Sequence, residues 1–196
     1  PMKRDIILSG VGGQGILSIA TVIGKAALTE GLHIKQAEVH GMSQRGGDVQ
    51  SNLRLSSDPI ASDLIPRGAA DIILSLEPME ALRYLPWLSK EGWIVTNTTP
   101  FVNIDNYPEK ERIERELAAL PHVIALDVDA LAKAAASPRA ANIVLLGAAA
   151  PLLQIEAAKL EQGIRDIFAR KGEAVVESNL AAFRAGYEFA RKSMNR

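Results

Sequence analysis

The stretch Asp5-Ile6-Ile7-Leu8-Ser9-Gly10-Val11-Gly12-Gly13-Gln14-Gly15-Ile16 decides the fold of this protein. A short apolar run that stops at glycines is typical of a buried parallel strand. After Gly15 the apolar residues recur with helical spacing on one face, which predicts a helix that ends near Glu30 and Gly31. A strand, a glycine-rich turn and a helix in this order predict the first unit of an α/β sheet.

Strand and helix patterns alternate over much of the remaining chain. This alternation predicts an α/β fold whose mostly parallel, Rossmann-like sheet carries helices on both faces. Alanine-rich helices broken at Pro138 and Pro151 and a helical C-terminal segment follow the last strand. No repeat or linker divides the sequence, so 1–196 is expected to form a single domain. The predicted strands are 5–9, 34–39, 49–55, 71–76, 93–97 and 123–126, and the predicted helices among them are 15–30, 78–85 and 109–120.

The segment 49–55 differs from the other predicted strands. Polar Gln50, Asn52 and Arg54 alternate with a second, mostly apolar set that runs from Val49 to Leu55. Clean alternation predicts a half-exposed strand that is antiparallel or lies at an edge of the sheet.

Composition and charge exclude several classes of function. The 196 residues include no cysteine, which excludes disulfides, thiolate zinc sites and cysteine-held iron–sulfur clusters. The 22 basic and 23 acidic side chains nearly balance, so there is no polycationic footprint for nucleic acid and no electrostatic attraction to a membrane. No apolar run approaches the ~18 residues of a spanning helix. With no signal-peptide core either, the cytoplasm is the expected location.

The motif Gly10-Val11-Gly12-Gly13-Gln14-Gly15 contains G-x-G-x-x-G between a predicted strand and a predicted helix. In that context glycines let backbone N–H groups approach a phosphate at the helix N-terminus. Glu38 ends the second strand, where a ribose-binding acid is expected in a dinucleotide fold. A glycine-rich turn that only packs the helix against its strand explains the motif equally well.

A second glycine-rich motif, His40-Gly41-Met42-Ser43-Gln44-Arg45-Gly46-Gly47, follows the second strand. It is expected at the carboxyl edge of the sheet beside the first motif, where open α/β sheets bind ligands. Arg45 and the neighbouring N–H groups suit an anion, but an ordinary exposed hairpin turn is the alternative. A standard dinucleotide fold continues here into a helix, so the motif weakens that interpretation.

The remaining polar residues form no recognisable catalytic set. His33, His40 and His122 lack the spacing of a metal site, and no nucleophile elbow or Walker A motif is present. Glu77 and Asp127 are expected to cap the helices that follow them.

The two glycine-rich motifs together resemble the gamma-type domain of 2-oxoacid:ferredoxin oxidoreductases. In reading Glu38-Val39-His40-Gly41-Met42 before Gln44-Arg45-Gly46-Gly47, the second is similar to the small (beta) subunits of the indolepyruvate type. The similarity extends to further stretches along the chain: Leu64-Ile65-Pro66 with Gly68, Ala70 and Asp71, Glu77-Pro78-Met79-Glu80-Ala81-Leu82-Arg83-Tyr84 and Asn179-Leu180-Ala181-Ala182-Phe183-Arg184-Ala185-Gly186.

The resemblance implies a subunit of an enzyme that oxidatively decarboxylates 2-oxoacids, here aryl pyruvates, to acyl-CoA and CO2 with electrons passed to ferredoxin. It places thiamine diphosphate, magnesium and iron–sulfur clusters on a large alpha subunit, with coenzyme A as co-substrate and no cofactor bound by this chain alone. The sequence agrees, since it has no Gly-Asp-Gly…Asn-Asn diphosphate motif. No catalytic residue and no metal ligand is assigned. The residues expected to face a ligand or the partner are Gly10, Gly12, Gly13, Gln14, Gly15, His40, Ser43, Arg45, Gly46 and Gly47.

Two alternatives stay open at this point. One is an NAD(P)-binding Rossmann-type oxidoreductase that uses Gly10, Gly12, Gly15 and Glu38. The other is a non-catalytic structural subunit whose glycine motifs only shape an interface.

Overall fold

A computed structural model describes residues 1–40, 47–102 and 104–196. These residues form one six-stranded sheet in the order β2-β3-β1-β4-β5-β6. The strands are β1 (Lys3–Val11), β2 (His33–His40), β3 (Asp48–Ser56), β4 (Ala70–Ser75), β5 (Leu88–Asn97) and β6 (Val123–Leu126). The helices are α1 (Ile16–Thr29), α2 (Pro78–Arg83), α3 (Lys110–Ala118), α4 (Val128–Ala134), α5 (Ala141–Ala149), α6 (Ala157–Phe168) and α7 (Glu173–Met194).

The sheet is mostly parallel, as predicted. β1 pairs in parallel with β4, β4 with β5 and β5 with β6, whereas β3 is antiparallel to both β1 and β2. Five strands therefore end at the same edge, which we call the carboxyl edge. The loops that leave this edge carry the glycine-rich motifs.

Helices cover both faces of the sheet, and β1 is buried between them. Ile6 and Leu8 face a core formed with α1 and α4–α7, and Ile7 faces a smaller core formed with α2 and α3. Burial on both faces explains why β1 is a continuous apolar run rather than an alternating one. The predicted α/β class with helices on both faces is confirmed.

The predicted elements are all present, and they differ from the prediction at their ends. α1 buries the predicted face and ends before Gly31, whose positive φ of 73° terminates the helix. β5 begins at Leu88, earlier than predicted, and α2 ends at Arg83 before a 3-10 turn. Pro138 lies between α4 and α5, and Pro151 lies in the 3-10 turn that follows α5, so both prolines break the helical stretch as expected.

The strand β3 is antiparallel, as its pattern predicts, and its polar face is partly covered: Asn52 is buried, whereas Gln50 and Arg54 are half-buried. Asn52 Oδ1 accepts a hydrogen bond from the Ile65 N–H at 3.0 Å, and Arg54 donates to Asp5 Oδ1 at 2.9 Å and to the Ser62 carbonyl at 3.0 Å. The bonds to Ile65 and Ser62 hold the loop after β3 against part of this face, so the strand is half-exposed as predicted but less open than its alternation alone suggests. The edge position belongs to β2.

Candidate functional site at the carboxyl edge

The first glycine motif forms the turn from β1 into α1. Gly13 and Gly15 have φ values of 91° and 88°, in the left-handed region that favours glycine. Gln14 folds back over the turn: its Oε1 accepts from the Val11 N–H at 2.7 Å and its Nε2 donates to the Leu76 carbonyl at 3.3 Å. The Gln14 side chain therefore braces the turn, and both of its polar atoms are engaged within the protein.

The residue Gly15 also permits a close contact that the sequence did not indicate. A Cβ at Gly15 would lie 2.6 Å from Asn142 Nδ2, and this amide donates to the Gly15 carbonyl at 3.1 Å. Asn142 lies in the first turn of α5, so α5 fixes the start of α1 from the side. The two residues are 127 positions apart, and no local pattern relates them.

The two glycine motifs meet at Gly47. The Gly12 N–H donates to the Gly47 carbonyl at 2.9 Å, and Val11 is paired with Asp48 across β1 and β3. Of the residues predicted to face a ligand or partner, the structure thus brings Gly47 beside the turn that holds Gly10, Gly12, Gly13, Gln14 and Gly15. The backbone of His40 ends β2, while Ser43, Arg45 and Gly46 lie outside the described residues.

A cavity of about 380 Å³ opens beside this turn. Its walls are the turn backbone together with the side chains of Ile16, Leu17 and Val49. α1 starts at this wall without a side-chain cap and without an acidic residue in its first turn. The positive end of the helix dipole is thus not neutralised by α1 itself, an arrangement that suits an anionic group.

The residue Glu38 is not placed as a ribose-binding acid. It is paired with Ser51 of β3, and β3 separates its strand from β1. In a dinucleotide-binding sheet the second strand lies directly beside the first. Two strand spacings here put Glu38 roughly 10 Å from β1 across the sheet. The dinucleotide-binding alternative therefore lacks the acidic residue that would bind the ribose.

A second cluster at the same edge was only partly predicted. The carboxylate of Glu77 is fully buried and caps α2, since Oε1 accepts from the Glu80 N–H at 3.0 Å. Its Oε2 accepts from the Phe101 N–H at 2.9 Å and from the Tyr107 hydroxyl at 2.5 Å. Burial and the bond to Glu77 raise the pKa of Tyr107. The capping role is confirmed, but the tie to the segment after β5 could not be inferred locally.

Asn97, the last residue of β5, connects three neighbouring elements. Its Nδ2 donates to the Leu76 carbonyl at 3.2 Å, and its Oδ1 accepts from the Val128 N–H at 3.2 Å. Asp127 caps α4 as predicted by accepting from the Ala130 N–H at 3.0 Å. These bonds fix the ends of β4, β5 and β6 relative to one another.

Charged residues on α2 form an ion pair and change the pKa values of their neighbours. Arg83 binds Glu80 with two hydrogen bonds of 2.8 and 3.1 Å. Burial nevertheless raises the pKa of Glu80, and burial together with the nearby carboxylates of Glu80 and Asp48 raises the pKa of Tyr84 to about 12. No group of three or more potential metal ligands occurs among residues 1–40, 47–102 and 104–196.

Within the same part of the chain, none of the helices combines the length and the apolarity needed to cross a bilayer. The arrangement at the carboxyl edge is thus a glycine-lined cavity beside a helix start and an anchored loop.

Comparisons with known proteins identify the family. Residues 5–189 match the family model described as pyruvate ferredoxin/flavodoxin oxidoreductase. The chain is 37% identical over 203 residues to the indolepyruvate oxidoreductase subunit IorB of Pyrococcus horikoshii, with 98% of each chain covered. The likeness to the keto/oxoacid ferredoxin oxidoreductase gamma subunit of Geobacter sulfurreducens has a TM-score of 0.70, with 26% identity and with 96% of this chain and 99% of that chain covered.

A longer chain contains the same fold. The 2-oxoglutarate:ferredoxin oxidoreductase of Magnetococcus marinus, solved with 2-oxoglutarate, coenzyme A and succinyl-CoA bound, matches with a TM-score of 0.76 and 24% identity. That match covers 98% of this chain but 32% of the Magnetococcus chain. The resemblance drawn from the two glycine motifs is confirmed, and the NAD(P)-binding alternative is not favoured. The chain therefore belongs to the pyruvate ferredoxin/flavodoxin oxidoreductase family, as a gamma-type subunit of 2-oxoacid:ferredoxin oxidoreductases.

Proposed function

We propose that this chain is the small subunit of a cytoplasmic indolepyruvate:ferredoxin oxidoreductase. The observation that carries the proposal is the 37% identity to a subunit of that enzyme over nearly the whole of both chains. The assembled enzyme would oxidise an aryl pyruvate with coenzyme A to an acyl-CoA and CO2, and two electrons would pass to ferredoxin. No nucleic acid and no membrane takes part in this reaction.

The proposed division of labour agrees with the composition of the chain. It has no cysteine, so it does not supply thiolates for iron–sulfur clusters. Its sequence also has no Gly-Asp-Gly…Asn-Asn motif for a magnesium–diphosphate site. We assign thiamine diphosphate, magnesium and the clusters to a large alpha subunit, and the present chain acts as one gamma-type domain over 1–196.

The glycine motifs are proposed to contact coenzyme A or the large subunit. The start of α1 favours an anion, and Arg45 is the cationic side chain that the second motif offers. A phosphate of coenzyme A, which the Magnetococcus enzyme binds, fits that chemistry. A carboxylate of the large subunit is the second anion that this edge would accept.

The test is a comparison of Arg45→Ala with Arg170→Ala, an exposed arginine in the turn after α6. Each variant is assembled with the large subunit of the same organism and assayed with indolepyruvate, phenylpyruvate and pyruvate, with and without coenzyme A. We expect Arg45→Ala to raise the KM for coenzyme A or to weaken assembly, and Arg170→Ala to change neither. If Arg45→Ala changes neither the KM for coenzyme A nor the assembly, the proposed role of the second motif is wrong.

The proposal as a whole has a separate test. The isolated chain should be colourless and inactive, and it should bind neither NAD nor NADP at micromolar concentration. Wild-type chain that forms no complex with the large subunit, or that binds a dinucleotide tightly, would contradict the assignment. If variants of both glycine motifs still give a fully active complex, a non-catalytic structural role of this chain would be favoured.

A further inference from the structure

Three apolar side chains are exposed close together on the segment that follows β5. Phe101, Val102 and Ile104, which we call the apolar patch, are 44%, 69% and 39% exposed. They lie at the carboxyl edge, on the irregular stretch between β5 and α3. Single exposed apolar residues are normal, but a contiguous group on a loop is typical of an interaction surface.

The segment that carries the apolar patch is held in place by a buried charge. Glu77 Oε2 accepts from the Phe101 N–H and from the Tyr107 hydroxyl, so both ends of the segment are fixed to one carboxylate. Among the described residues Glu77 has no ion-pair partner, so the hydrogen bonds that it accepts have to offset the unfavourable burial of a carboxylate. The protein thus uses a costly anchor to keep apolar side chains in solvent, where they contribute little to folding.

A groove continues from the apolar patch along α3. This groove has a volume of about 380 Å³ and is lined mainly by apolar residues that include Pro100, Ile113 and Leu117. Pro100 lines the groove and precedes Phe101 directly, so the groove begins next to the apolar patch along the chain. Exposed apolar side chains beside an apolar recess are typical of the core of protein interfaces.

The rim of this surface is acidic. Asp105 and Glu109 are exposed on the same segment, and Asp127 is exposed at the end of the neighbouring strand. Lys110, which also lines the groove, is paired with Glu114 at 3.7 Å. A partner that covers the apolar centre therefore needs basic side chains around its own apolar surface.

A comparison of chain lengths indicates the occupant. The Pyrococcus relative is matched over 98% of its length, whereas the Magnetococcus chain is matched over 32% of its length. In the Magnetococcus protein the same fold is covalently joined to the rest of a longer chain. Where the fold is a separate subunit, a noncovalent interface has to hold the corresponding parts together.

We propose that the apolar patch, with its groove and acidic rim, is the docking surface for the large subunit, which meets it with an apolar surface rimmed by arginine or lysine. This inference rests on the proposed function, because it takes the large subunit of the oxidoreductase as the partner. Glu77 and Tyr107 act as positioning residues that preorganise the surface and reduce the entropy lost on binding.

The experiment compares Val102→Asp with Leu28→Asp. Leu28 is 65% exposed in the last turn of α1, at the opposite edge of the sheet, and is a matched control for the added charge. Both variants should keep the wild-type melting temperature within a few degrees, because both residues are exposed. We expect Val102→Asp to raise the Kd for the purified large subunit at least tenfold and Leu28→Asp to change it less than twofold.

The outcomes separate this inference from the proposed function. If wild type and Val102→Asp assemble with equal affinity into an active complex, the docking surface is wrong and the proposed function stands. If the isolated chain is a dimer that Val102→Asp dissociates without weakening large-subunit binding, a second copy covers the patch, which also overturns the inference. If wild type does not bind the large subunit, both proposals fail. Slower wild-type association at high salt would support the acidic rim.

Discussion

Two regions of this protein use glycine for opposite reasons. Where α5 crosses α7, a Cβ on Gly147 would meet the carbonyl of Phe183, and a Cβ on Gly186 would meet the carbonyl of Val144. In the turn after β1, a Cβ on Gly13 would meet no other atom within 4 Å. The first pair allows two helix backbones to approach each other, and Gly13 allows a positive φ at an open edge.

The α5–α7 crossing contributes to the stability of the fold, whereas the carboxyl edge provides a surface for binding. Near the α5–α7 crossing, buried aliphatic side chains and small residues fill the core. At the carboxyl edge, Gly13 leaves the backbone accessible. The buried carboxylate of Glu77 holds the apolar segment that begins at Phe101 outside the core. Substitutions in the first region should therefore affect folding, and substitutions in the second should affect assembly and coenzyme A binding more than folding.

The largest effect is expected for Gly186→Ala. The added methyl group would overlap the backbone of α5, which no rotamer change relieves, so we expect a loss of about 3 kcal/mol or more in the free energy of unfolding. The matched control is Gly24→Ala in α1, where the methyl group meets nothing and should stabilise the helix by about 0.5–1 kcal/mol. Urea unfolding followed by circular dichroism measures both. Equal stabilities of the two variants would contradict the close packing of α5 and α7.

A smaller loss is expected for Tyr107→Phe. Removing the hydroxyl takes away one of the three donors that the described residues provide to the buried carboxylate of Glu77, which we expect to cost about 1.5 kcal/mol. Tyr187→Phe is the control, because its hydroxyl accepts from the exposed Arg191 on the surface and its removal should cost less than about 0.5 kcal/mol. Urea unfolding gives both values, and Tyr107→Phe should in addition weaken large-subunit binding. A Tyr107→Phe variant as stable and as tightly bound as wild type would exclude the anchoring role.

The substitution Gly13→Ala tests the glycine turn itself. Its cost should be about 1 kcal/mol, because alanine is strained at a φ of 91° but meets no neighbouring atom. Gly31→Ala provides a control of the same kind, with a φ of 73° and open space, far from the carboxyl edge. Both variants should lose similar stability, but only Gly13→Ala should change the KM for coenzyme A or the affinity for the large subunit. If both leave these two quantities unchanged, the turn has a purely structural role.

The last effect is absent at neutral pH and concerns the dependence of stability on alkaline pH near α2. The pKa of Tyr84 is raised to about 12 in the folded chain, from about 10 when unfolded. Between these values the unfolded chain releases a proton that the folded chain keeps, so stability is complete below pH 10 and falls as the pH rises to 12. Tyr84→Phe should show a shallower fall over this range and should lose the absorbance step of tyrosine ionisation near pH 12. An unchanged absorbance titration would show that Tyr84 is not shielded by burial and the neighbouring carboxylates.

The sequence predicts those features whose cause is local. The apolar run of β1, the glycine turn and the helical period of α1 lie within about 25 consecutive residues, and each was assigned correctly. The caps at Glu77 and Asp127 depend on the next three residues and were also correct. The alternation of polar and apolar residues in β3 indicated its antiparallel direction, since this pattern lies within the sequence of the strand.

Features that depend on distant residues could not be predicted. The polar face of β3 is partly covered because Asn52 and Arg54 bind the loop that follows, which alternation alone does not reveal. Asn142 reaches Gly15 over 127 positions, and Tyr107 reaches Glu77 over 30. The Tyr107–Glu77 bond also positions the apolar patch, where we propose that the subunit meets the rest of the enzyme.

Hydrogen–deuterium exchange of this chain with and without its large subunit is the decisive test of this docking site. We expect binding to slow exchange in peptides covering 10–17 and 98–109, while peptides from α6 and the turn after it, 157–172, exchange as in the free chain. Protection confined to 157–172 or to the exposed edge strand β2, with 98–109 unchanged, would contradict it.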